Sequence, residues 1–201
     1  SNETTPMARF FAVAAHLEAA AVVAFRQLAR QLERYDAPRA LVRRCLEAAR
    51  DEVCHALDMG RMAQLHGASI PRVVPPMPTD ETLLSIAIHN AVEGCVSETW
   101  AAMMAQIQAE RAETPELRAL FSTIARDEIN HGQLAWDLHD WLLEQLDETG
   151  RAQVMEAQRE ALEALPQLAA RQIAELPSEI GGAPGRLGLT MGTRLAMALA
   201  A

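Results

Sequence analysis

Prolines at positions 6, 38, 71–78 and 115 cut the first 150 residues of this chain into four stretches, and their composition leaves each stretch little choice but a long helix. Half of the residues are apolar but only 4% are aromatic, and Ala, Leu, Glu and Arg dominate, which favours helices and offers little material for strands. Thr5-Pro6 sets a capping hydroxyl before a proline at the first helical position, so a helix is expected from Pro6 to about Tyr35. Asp36-Ala37-Pro38 makes a turn and opens a second helix, which ends near His66 before Gly67. Ala68 to Pro78 carries Pro71, Pro75, Pro76 and Pro78 and reads as extended. Thr79 is the expected cap of a third helix reaching about Glu113, and Thr114-Pro115 starts a fourth that ends near Asp147. A fifth helix fits Arg151 to Leu176, bent at Pro166. Ser178 to Gly188 reads as loop, and Thr190 to Ala200 as a short tail helix.

The charge and cysteine counts narrow the setting. The net charge is −9 and all 18 cationic side chains are Arg, so no nucleic-acid partner is expected, because phosphate neutralisation needs a basic face. Three cysteines do not make a disulfide scaffold and suit a reducing, cytoplasmic compartment. Ser1 to Pro6 lacks the basic-then-apolar build of a signal peptide. Phe10 to Phe25, the longest apolar stretch, is interrupted by His16 and Glu18 and reads as too short and too polar for a membrane span. The expectation is one all-α domain over residues 1–201, with a bundle over about 5–147 and a helical extension over about 151–201.

Helices of about thirty residues are about 45 Å long at 1.5 Å per residue. The first–second and third–fourth connections are tight, so each pair forms an antiparallel hairpin. The proline-rich linker between the hairpins can reach roughly 35–40 Å, enough to return along most of a bundle. Two antiparallel hairpins joined by one long crossover follow. The hairpins are also repeats of each other: Ala49-Arg50-Asp51-Glu52-Val53-Cys54-His55 on the second helix returns 76 residues later as Ala125-Arg126-Asp127-Glu128-Ile129-Asn130-His131 on the fourth. The same offset carries Glu18 to the neighbourhood of Glu93.

Glu and His three residues apart share one helix face and can reach one point. Glu18 lies 13 residues past Thr5, and Glu52, Glu93 and Glu128 lie 14 past Pro38, Thr79 and Thr114, so the counting puts all four at mid-helix. Four carboxylates brought together in a helical interior repel one another and lose hydration unless cations join them. With two imidazoles at the same level, a pair of divalent ions is the physical solution.

Glu18, Glu52-x-x-His55, Glu93 and Glu128-x-x-His131 together resemble the ferritin-like di-iron carboxylate superfamily, in which two helices each give a Glu and two give Glu-x-x-His. The resemblance covers about residues 5–147 and implies a ferritin-like four-helix bundle, followed here by the fifth and tail helices. It implies one ion held by Glu18, Glu52 and His55 and a second by Glu93, Glu128 and His131, with Glu52 and Glu128 bridging. It further implies that Asp51 and Asp127 each hydrogen-bond the His of the opposite half; pairing with Arg50 and Arg126 is the plainer alternative.

Other residues are weighed beside these. Glu98, five past Glu93 and roughly 140° round an α-helix, is a ligand, an outer partner of the ligands, a proton relay or an exposed residue. His89, one turn before Glu93, is either an extra nitrogen ligand or a core neighbour. His16, His66 and His139 have no partner pattern, Cys54 and Cys95 read as small buried residues, and Trp100, Met103 and Met104 as core filling. The implied activity is a non-haem di-iron oxidase or oxygenase acting on O₂ and a small organic substrate, with two Fe ions (Mn or a mixed pair fits the same donors) and an external electron donor. The alternative is a metal-handling or peroxide-removing relative, namely a ferroxidase, a rubrerythrin-like peroxidase or a manganese catalase. The fifth helix either crosses the bundle or forms a homodimer contact.

Overall fold

The computed structural model describes residues 5–70 and 81–200, and every regular element among them is helical. The chain divides into two compact units, Ser1–Asp80 and Glu81–Ala201. The extended crossover expected over Pro71 to Pro78 and the cap expected at Thr79 lie outside the described residues.

The first unit is a hairpin of α1 (Pro6–Arg34) and α2 (Arg39–Leu65). Thr5 opens α1 as its sequence predicts, its Oγ1 accepting from the Ala8 N–H at 3.1 Å. Both helices end on a left-handed residue with paired backward hydrogen bonds. At the end of α1, Asp36 (φ 53°) lets the Ala37 N–H donate to Leu32 O at 3.0 Å. At the end of α2, Gly67 (φ 80°) lets the Ala68 N–H donate to Ala63 O at 2.9 Å. Asp tolerates this conformation better than most side chains, which is why the interhelical turn needs no glycine. α1 runs well beyond the apolar stretch Phe10–Phe25 at both ends. An 18-residue window of it reaches a mean hydropathy of 1.6 with 17% of the window buried, so by length and composition alone this helix could cross a membrane. Its many alanines raise the hydropathy without adding bulk.

The second unit begins with one helical run in three parts: α3 (Leu83–His89), a π-helix (Asn90–Glu98) and α4 (Thr99–Arg111). Thr82 is the cap, its Oγ1 accepting from the Ser85 N–H at 3.1 Å, so the helix starts at Leu83 rather than just after Thr79. α5 (Pro115–Glu144) follows with Thr114 Oγ1 accepting from the Leu117 N–H at 3.2 Å. It stops short of Asp147 because that carboxylate caps the next helix, accepting from the Gly150 N–H at 2.8 Å. α6 (Glu148–Glu175) therefore starts three residues before Arg151 and carries Pro166 inside it. Leu162, Leu165, Ala169 and Ile173 of α6 pack with Val96, Trp100 and Ile107 into one core. The Trp100 indole N–H also donates to Gln172 Oε1 across that contact.

α7 (Gly185–Leu199) starts five residues before Thr190, and its glycines are where it presses on α6. A Cβ at Gly188 would lie 2.2 Å from Ala169 O, and one at Gly192 would lie 2.8 Å from the Cα of Pro166. Gly188→Val must push α7 off α6, and urea denaturation should show a loss of about 1–3 kcal/mol, as overpacking does elsewhere; unchanged stability would refute this contact.

His139 of α5 is buried with its ring edge-on to Trp136, centroids 5.8 Å apart. Burial lowers its pKa, and Asp140 opposes the shift only in part. The fold thus favours neutral imidazole, while the unfolded chain binds the proton near pH 6.5. Stability from this residue is present above about pH 6.5 and is lost as pH falls through the lower folded value. Urea titrations of the metal-free chain at pH 7 and pH 5 should show a smaller pH dependence for His139→Leu than for the wild type.

Candidate metal centre

In the first unit the α1/α2 hairpin brings Glu18 to Glu52 and His55, with one ligand atom of each within 4.8 Å of the others. Glu52 and His55 are both 2% exposed, and their three-residue spacing turns both side chains to one side of α2. His55 Nδ1 stands 3.5 Å from Glu52 Oε2. That is wider than an N–H···O hydrogen bond of about 2.9 Å and narrower than two metal–ligand bonds of about 2.1 Å each. Two donors flanking a common point have this separation.

The second unit repeats the arrangement with a different first carboxylate. Glu98, Glu128 and His131 each offer a ligand atom within 4.8 Å of the others. His131 Nδ1 is 3.7 Å from Glu128 Oε2, and both residues are buried. Glu93 is exposed and belongs to neither cluster.

The reason lies in the π-helix. Buried positions advance by four from Ile86 to Asn90 and then by five, to Cys95 and to Trp100. A continuous α-helix would carry Glu93 on the inner face, one turn past Asn90 and two past Ile86. The i→i+5 pattern from Asn90 onward takes it out of that face. The late start at Leu83 also removes the count from Thr79 that placed Glu93 at mid-helix. Sequence reasoning weighed Glu98 and did not choose it. The signal that could have chosen it is the row Asn90, Gly94, Ser97 and Thr99, small and polar residues ill suited to an apolar α-helix.

The remaining candidates sit as follows. His89 is exposed and in neither cluster. Asp51 and Asp127 are half-buried beside the inner Glu residues, and Asp127 lies 3.5 Å from Arg126, the plainer of the two pairings expected for it. Cys54 is exposed rather than buried. Cys95 is fully buried, loss of hydration pushes its thiol up to about 12, and it belongs to neither cluster. Trp100 is core, with Met103 and Met104 against the same cluster. His66 stacks on Phe11, centroids 5.5 Å apart.

The donor chemistry fits divalent transition ions. Each unit offers carboxylate oxygens and one imidazole nitrogen, the mixture suited to iron, manganese or zinc, and no thiolate that would favour softer metals. Enclosed carboxylates beside imidazoles are costly unless a positive charge is held between them. No family model, no curated protein and no solved structure matches this chain.

Proposed function

We propose that this chain is a non-haem dinuclear metal oxidoreductase of ferritin-like architecture that uses O₂ to oxidise or oxygenate a small organic substrate. The observation that carries the reading is the repetition: each unit brings a Glu from one helix to a Glu-x-x-His on another. Chance rarely builds the same three-residue donor set twice in one chain. Glu18, Glu52 and His55 would hold one ion, and Glu98, Glu128 and His131 the other. Iron held by these residues would supply electrons for the reduction of O₂, with an external donor to restore them.

The chain's own residues make the setting for this. Glu52 and Glu128 are buried, and a bound cation would offset the cost of enclosing their charge. Glu18 and Glu98 are half-buried, less enclosed than the Glu and His that each accompanies. The imidazoles bind only when neutral, so metal binding releases protons and weakens as pH falls. Tyr35, the sole tyrosine, caps the C-terminus of α1, 17 residues past Glu18 and about 25 Å along the helix, so no phenol serves as a radical store beside Glu18.

Anaerobic reconstitution with Fe(II) should leave about two ions per chain, and exposure to air should consume O₂ at an electrode. Glu52→Gln or Glu128→Gln should each reduce the retained iron to about one ion. A wild-type chain that retains no iron, or a di-ferrous form that consumes no O₂, would contradict the proposal. Release of O₂ from peroxide by the manganese-loaded chain, with an inert ferrous form, would point to the peroxide-removing reading instead.

A further inference from the structure

The second unit presents its donor cluster from a distorted helix, and side-chain hydrogen bonds tie both ends of the distortion to α5. Asn90, the first residue of the π-helix, is 5% exposed, and its Nδ2 donates to Ala135 O of α5 at 2.9 Å. The same Nδ2 lies 3.8 Å from Cys95 Sγ, five residues on, and that sulfur lies 3.6 Å from Ala135 O. The Asn90 side chain crosses the helix where Gly94 leaves space. A Cβ at Gly94 would come 2.8 Å from Asn90 Oδ1 and 2.9 Å from the Cβ of Ala135.

At the downstream end Thr99 makes the second tie. Its hydroxyl donates to Cys95 O at 2.7 Å and accepts from the Trp136 indole N–H at 3.2 Å. Between the two ties, the Ser97 hydroxyl donates to Val92 O, five residues back, at 3.4 Å. Side-chain donors thus serve carbonyls that a widened helix leaves poorly served. Both ties end on Ala135 and Trp136, just beyond His131 on α5.

We infer that Asn90, Gly94 and Thr99, held by Ala135 and Trp136, form a register clamp that selects Glu98 as the carboxylate facing Glu128 and His131. The clamp and the three residues it serves lie on the same two helical runs. Asn90 and Thr99 are positioning residues: neither belongs to the donor set, and both decide which side chain does. Return of residues 90–98 to α geometry shifts the register and turns Glu98 about the axis relative to α3. The inference rests on the metal-binding reading above and adds what fixes the ligand in the second unit. The first unit is an internal control, because α1 carries Glu18 on an uninterrupted α-helix.

The test uses the full chain, stripped of metal and titrated with Co²⁺ alone, followed by calorimetry and by the visible absorption of the bound ion. Thr99→Val and Asn90→Leu should each weaken one of two Co²⁺ sites by about 10–100-fold and leave the other unchanged, the range seen when supporting hydrogen bonds to ligands are removed. Thr99→Ser, which keeps the hydroxyl, should bind as the wild type does. Thr99→Val made in a Glu128→Gln chain should change nothing further, since that ion is already lost. Should Asn90→Leu fail to fold, the half-buried Thr99→Val still decides. A crystal structure of metal-free Thr99→Val should show α-helix through residues 90–98 and the Glu98 carboxylate withdrawn from Glu128 and His131. Wild-type Co²⁺ binding by Thr99→Val and Asn90→Leu, or a retained π-helix with Glu98 in place, would overturn the clamp alone. A wild-type chain that takes up no Co²⁺ would overturn the metal reading and the clamp with it.

Discussion

Glu52 and Glu128 sit almost out of reach of water, each beside an imidazole that is as deeply enclosed. Holding a carboxylate in such a place costs several kcal/mol unless its charge is met. Each unit nevertheless brings a further carboxylate to its Glu and His. An arginine would neutralise one Glu and close the site. A second carboxylate deepens the demand for charge and makes a small multivalent ion a fitting partner.

The two units meet this demand by different helix geometries. In the first, a regular α1 carries Glu18 to the α2 pair. In the second, the donor lies four residues past the position to which the 76-residue offset carries Glu18, and a π-helix makes up part of the difference. A π-helix is a poor local choice for a polypeptide, with i→i+5 bonds that persist mainly where side chains support them. Here the support comes from Asn90 and Thr99 working against Ala135 and Trp136. Strain of this kind commonly gathers at functional positions, where the rest of the fold can hold it.

Much of the fold was readable before any coordinates. Thr5-Pro6 and Thr114-Pro115 announced two helix starts to the residue, since proline and a capping hydroxyl leave the backbone few alternatives. Glu18, Glu52, His55, Glu128 and His131 were legible from a repeat and a three-residue spacing, both of which survive in regular α-helices. What escaped was whatever depends on one element touching another. Gly185 and Gly188 read as loop because their purpose, close approach to Ala170 and Ala169, is tertiary. Asp147 read as the end of one helix when its carboxylate begins the next. Glu93 read as inward because counting assumes a constant period, and the period changes at Asn90.

Anomalous diffraction from a crystal of the manganese- or iron-loaded chain tests the central claim most directly. Two peaks are expected, one ligated by Glu18, Glu52 and His55 and one by Glu98, Glu128 and His131, with metal–ligand distances of about 2.0–2.3 Å. An absent peak at either set, or a second ion ligated by Glu93 in place of Glu98, would contradict the account.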